Sequence, residues 1–244
     1  MDSSTFEKKQ REIDDMVMQR VKELNAGEPV FDGIFDAHKY ANAGYKILFI
    51  SKEPNNTVSK DYKKLKTQQN NEFWIPIKYI TYGIFNKKYD WKEFPAPQNK
   101  DVENILFSTA FINVIKFPSA SFAERETLGT SPSTAPEAMT EVYGKFRDIL
   151  EKQIEVINPD IIICLGTFTV MQESLINGSY AVKQKGYRNR YSTKDRLILD
   201  CYFSRHAKPD DFPLPAAGDF SKGIPYTDYY ADIFNAFKEW ETGR

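Results

Sequence analysis

The chain has 244 residues, a formal net charge of −1, and 41% hydrophobic and 14% aromatic residues. That apolar content argues against disorder, the near-neutral balance excludes a general polycation, and no stretch approaches the roughly 20 apolar residues of a membrane span. Two cysteines, Cys164 and Cys201, and two histidines, His38 and His206, are too few for a disulfide framework, a cysteine-ligated cluster or a histidine-rich metal centre. Cofactor-free and metal-free chemistry is therefore expected. The amino terminus MDSSTFEKKQ has no apolar run behind it, so it does not read as a secretory signal, and a cytoplasmic setting is expected.

Residues 5–25 read as an amphipathic helix with Ile13, Val17, Val21 and Leu24 on one face. Ser4 and Glu7 give it a capping-box start, and Gly27 marks its end. The short apolar run YKILFI (45–50) reads as a strand buried on both faces. A helix over 72–85 with Trp74, Ile77, Ile80 and Ile84 follows, then a strand at 110–116. Pro136 opens a long helix to Ile157 with Tyr143, Phe146, Ile149, Leu150 and Ile154 inward. DIIICLG forms a third strand ending at Gly166, followed by a helix at 167–177, a strand at 196–203 and a last helix from Tyr226 to Glu241. This last helix packs through Tyr230, Ile233, Phe234, Phe237 and Trp240. Strands separated by helices predict a three-layer αβα fold with a central, mainly parallel four-stranded sheet. No linker interrupts it, so residues 1–244 read as one domain, with an N-terminal helix (1–28) packed on it and no reason to expect more than a monomer.

Two basic runs stand out. KQKGYRNRYSTKDR (183–196) carries six positive charges against one negative, and KDYKKLK (60–66) carries four against one. Each is either a solvated loop or part of a surface that tracks phosphates, with Tyr187 and Tyr191 interleaved in the first run for base stacking. Lys183, Lys185, Arg188, Arg190, Lys63, Lys64 and Arg205 are the candidate DNA contacts.

Ligands of open α/β sheets bind outside the carboxyl ends of the strands. That rule selects SKEPNN (51–56), the end of FINVIKFP (111–118), Gly166-Thr167 and SRHAKP (204–209). Between them lie a carboxylate (Glu53), an amide (Asn113) and an imidazole (His206). A carboxylate can orient water and stabilise an oxocarbenium-like sugar, an amide can both donate to and accept from a base edge, and an imidazole can stabilise a departing anion. The plainer alternatives are a turn-capping Glu53, a satisfied buried Asn113 and an exposed His206. Gly166 serves either a phosphate or close helix–strand packing.

At these residues the sequence resembles the uracil-DNA glycosylase superfamily. SKEPNN resembles that family's water-activating loop, with Glu53 just before the proline and Ser51 in place of the usual glycine. FINVIKFP resembles the segment whose asparagine reads the flipped base, which maps onto Asn113. INPDIIICLGT resembles the central strand with its glycine turn, and YFSRHAKP the late loop that carries the histidine, although the usual His-Pro-Ser run is missing. The resemblance implies a DNA glycosylase with Glu53 and His206 as catalytic groups and Phe73 or Trp74 against the base, Trp74 reading first as core. Members specific for uracil place an aromatic after the loop proline, whereas here Asn55 and Asn56 follow Pro54. The expected substrate is therefore a uracil-like or 5-modified pyrimidine, such as a hydroxymethylated or glycosylated cytosine of phage DNA. The rival readings are a catalytically inactive DNA- or nucleotide-binding module on the same fold and a small-molecule hydrolase.

Overall fold

A computed structural model describes residues 1–52, 54, 73–90, 93–96, 99–118, 136–176, 181–185, 188–201 and 224–244, with the backbone alone at 136–138, 181–185, 188–189 and 224–229. Helix α1 (Ser3–Glu23) begins at Asp2, whose carboxylate accepts from the Thr5 amide at 2.8 Å. The helix therefore starts earlier than the Ser4 capping box predicts, and Ser4 lies inside the first turn with its hydroxyl bonded to Asp2. An acidic cap is favoured there because its charge also meets the positive end of the helix dipole. The helix ends at Leu24, ahead of Asn25 in the left-handed region.

Among the described residues seven strands form one mixed sheet, in the order β1-β3-β2-β4-β7-β6-β5. Its centre is β2 (Ile47–Ser51), β3 (Ala110–Asn113), β4 (Ile161–Leu165) and β7 (Leu197–Cys201), all mutually parallel. The sequence-based expectation of four parallel strands thus holds for the centre and falls short at both edges. On one side β1 (Gly33–Ile34) pairs antiparallel with β3. On the other, β5 (Ala181–Lys185) and β6 (Arg188–Ser192) form an antiparallel ribbon that extends the sheet from β7. The basic run thus supplies two strands. Its dominant charge hides the alternation that would otherwise mark a hairpin.

The central strands are buried on both faces, which explains their predominantly apolar sequences. One face turns Leu48, Ile50, Ile112, Ile162 and Cys164 towards α1, α2 (Ala37–Ala41), α5 (Pro136–Ile157) and α6 (Phe168–Leu175). The other turns Ile47, Phe49, Phe111, Ile161 and Ile163 towards α3 (Trp74–Asn86), α4 (Lys100–Ile105) and α7 (Ile224–Thr242). Each fully buried side chain of this size contributes about 1.5–3 kcal/mol. All five predicted inward residues of α5 and all five of α7 are buried. Among the described residues no helix is long and apolar enough to cross a membrane.

Candidate functional site

The parallel register sets Ser51 of β2 beside Asn113 of β3. The pairing continues past both strands, with Val114 N donating to Ser51 O and Ile115 N to Lys52 O, each at 2.9 Å. The carboxyl end of β3 is therefore fixed against the start of the SKEPNN segment, of which Ser51, Lys52 and buried Pro54 are described. The next strand is tied in by Thr167, whose buried hydroxyl donates to Ile50 O at 3.0 Å. Gly166 has φ +70°, and a Cβ there would meet nothing closer than Lys52 Cε at 3.5 Å. Backbone conformation rather than close packing therefore requires glycine, and it lets the Gly166 amide reach Cys201 O at 2.9 Å.

At β3 the main chain opens a gap in the sheet edge, and a side chain fills it. Gly33 pairs with Phe111, and Val30 N donates to Lys116 O at 2.8 Å. Between these points Asp32 inserts its carboxylate. One oxygen accepts from Asn113 N at 2.8 Å and Asn113 Nδ2 at 3.1 Å. The other accepts from Lys116 Nζ at 2.7 Å and Gln153 Nε2 at 3.0 Å. Asp32, Asn113 and Gln153 are each 1% exposed and Lys116 is fully buried. A charge this deep is tolerated only when paired and fully hydrogen-bonded, and here both conditions are met.

Gln10 of α1 completes the cluster by donating to Asp32 O at 3.0 Å. It can do so because Gly33, at φ +131°, has no Cβ; one would sit 2.1 Å from the Gln10 carbonyl oxygen. Three side-chain oxygens in this cluster, on Gln10, Asn113 and Gln153, are buried without a hydrogen-bond partner among the described residues.

The Asn113 amide has a determined orientation. An acceptor that reaches both its own main-chain N–H and its Nδ2 must use the amino hydrogen on the Cβ side. The remaining amino hydrogen and Oδ1 then form an adjacent donor and acceptor, the pattern that pairs with a base edge.

Phe73 precedes α3, half-buried, its ring edge-on to Trp74 at 5.0 Å and to Phe111 at 5.8 Å. Phe111 lies two residues before Asn113, so Phe73 and Asn113 are served by the same strand. Trp74, 4% exposed, belongs to the core. Glu53, Asn55, Asn56, Lys63, Lys64, Arg205 and His206 lie outside the described residues.

Of the basic candidates, Arg190 is described with its side chain. Lys183 pairs with Arg190 and Lys185 with Arg188 across the β5–β6 ribbon. Arg190 is turned into the fold: it is 6% exposed, bonded to Glu239 at 3.2 Å and to the Asp232 carbonyl at 3.3 Å. The structure therefore corrects its expected place among the phosphate contacts.

Among the described residues, other titratable and reactive groups lie away from this cluster or deep in the core. His38 lies on α2, ahead of the amino end of β2 and thus at the opposite end of the strand from Asn113. Burial pushes the Cys164 thiol well above its usual range, which keeps it protonated. A cavity of about 320 Å³ lies at the amino ends of β4 and β7, where Arg196 is bonded to the Pro159 carbonyl and Arg244 is paired with Asp160. It is at the wrong end of the sheet for the residues above. Among the described residues no group of His, Cys, Asp or Glu could hold a metal ion. No family model matches the chain, and no curated protein is significantly similar to it.

Proposed function

We propose that the protein is a monofunctional DNA glycosylase that hydrolyses the N-glycosidic bond of a flipped uracil-like or 5-modified pyrimidine and leaves an abasic site. The observation that carries this reading is Asn113. Its amide sits at the carboxyl end of a central parallel strand, anchored by Asp32, with a buried carbonyl oxygen that has no partner among the described residues. A buried carbonyl left unpaired costs about 1–3 kcal/mol, and a base N–H is a donor of the right kind to satisfy it.

In this reading Glu53, three residues beyond the end of the β2 apolar core, orients water towards C1′ and stabilises positive charge on the sugar. His206 stabilises the departing base, and Phe73 flanks the ring. Lys183, Lys185 and Arg188 on the edge ribbon, with Lys63, Lys64 and Arg205, hold the phosphates. The Asn55-Asn56 pair leaves room and polar groups at the pyrimidine 5-position, which favours a modified cytosine of invading phage DNA and a role in defence.

The test is abasic-site formation in labelled DNAs carrying uracil, 5-hydroxymethylcytosine or glucosylated 5-hydroxymethylcytosine, with Glu53→Gln as the control. Release of one base, lost in Glu53→Gln while DNA binding persists, supports the enzyme. Tight binding with no release from any substrate rejects it in favour of a catalytically inactive DNA-binding module.

A further inference from the structure

We propose that Asp32 is a positioning residue that decides which pyrimidines the cleft accepts, by fixing which way round the Asn113 amide faces the base. This role rests on the glycosylase reading above. The amide of an asparagine is nearly symmetric in shape but opposite in polarity at its two ends. A site that lets it turn over presents donor and acceptor in either order, and pairs equally with a 4-keto pyrimidine (N3–H donor, O4 acceptor) and a 4-amino one (N4–H donor, N3 acceptor). Discrimination at position 4 therefore needs something that forbids the turn.

Asp32 is built to do so. Its carboxylate oxygen lies 3.1 Å from Asn113 Nδ2 and 2.8 Å from the Asn113 main-chain nitrogen. Turning the amide over would place Oδ1 against that oxygen, acceptor against acceptor, where both residues are 1% exposed and bulk solvent cannot screen the repulsion. The second carboxylate oxygen is held by Lys116 and Gln153, so Asp32 cannot rotate to follow. Lys116 is its buried counter-ion, and an ionised carboxylate oxygen can accept but not donate. Three elements thus converge on one amide: the segment before β1 supplies the carboxylate, α5 steadies it, and the chain after β3 supplies its counter-charge.

The experiment compares the full-length protein with Asp32→Ala and with the double variant Asp32→Ala/Lys116→Met. Alanine at position 32 removes the acceptor shared by the Asn113 main-chain N–H and Nδ2, so nothing opposes the turned amide. The double variant leaves no unpaired buried charge and serves if the single one does not fold. Excision rates are measured on labelled DNAs in pairs that differ only at position 4: uracil with cytosine, and 5-hydroxymethyluracil with 5-hydroxymethylcytosine. Hydrogen exchange of the Asn113 side-chain amide is followed by NMR in parallel.

In the unmodified protein one member of each pair is preferred and the amide exchanges slowly. In the variant the preference falls by about 10- to 100-fold, the range expected for a charge-assisted hydrogen bond, and exchange accelerates. A folded variant with an unchanged preference overturns the role, as does an unmodified protein that treats both members of each pair alike. If no substrate loses its base, the glycosylase reading falls and the specificity role with it. Slow amide exchange that is lost in the variant would then identify Asp32 as structural support alone.

Discussion

Lys116→Met should be among the most destabilising conservative substitutions in the chain. Lys116 Nζ lies 2.7 Å from Asp32, with side-chain exposures of 0% and 1%. Methionine matches the volume and removes the charge, leaving the carboxylate to three N–H donors, from Gln153 and from the Asn113 main chain and side chain. Breaking a buried pair by removing one partner typically costs about 3–5 kcal/mol. The three surviving hydrogen bonds place the expectation at the lower end, about 3 kcal/mol, or a fall in Tm of about 6–12 °C for a chain of this size. Adding Asp32→Asn should recover much of that loss, because two neutral groups no longer leave a charge unpaired. Urea unfolding followed by tryptophan fluorescence, run as a double-mutant cycle, measures both quantities. A loss below about 1 kcal/mol for Lys116→Met would refute the claim that this pair is desolvated and essential to the β1–β3 edge.

Two other outcomes can be stated. Arg190→Ala should lower stability through loss of the Glu239 and Asp232 contacts while leaving the salt dependence of DNA binding unchanged, whereas Lys183→Ala and Lys185→Ala should each flatten it; filter binding against log salt separates them. Tyr45 and Tyr79 have pKa values pushed up to about 12, each chiefly by burial and the first also by its bond to Glu241. The folded state therefore keeps protons that the unfolded chain gives up above pH 10, so stability should fall as pH rises from 10 to 12, and phenolate absorbance should show both tyrosines titrating late.

What could be read from sequence alone was the part of the fold governed by periodicity. The four central strands are predominantly apolar, and α5 and α7 carry their inward residues at helical spacing, so local pattern and tertiary burial agree. The edges were not legible for different reasons. Strand β1 is two residues long, too short to show any period. In β5 and β6 alternating charge and polarity resemble a loop, and only pairing with β7 reveals the ribbon. Asn113 was identifiable because a polar residue interrupts an apolar strand. Asp32 was missed although VFDGIF places a lone acid among apolar neighbours, and Lys116 ends FINVIK in the same manner. Each alone looks like a loop charge; their meaning depends on a contact across 84 residues that no local signal contains.

The same long-range wiring bears on how the protein comes to be made. Asp32 meets its partners at sequence separations of 22, 81, 84 and 121 residues. Such contacts form late, since each loop must be closed before it is rewarded. While the chain is being synthesised, helix α1 and the first strands can leave the ribosome and collapse, yet the carboxylate finds its last support only when Gln153 has emerged. A truncated product ending before α5 would keep the Asp32 contacts to Asn113 and Lys116 but lack the Gln153 hydrogen bond that steadies the carboxylate. The buried cluster around Asp32 is thus complete only after more than half of the polypeptide has been made.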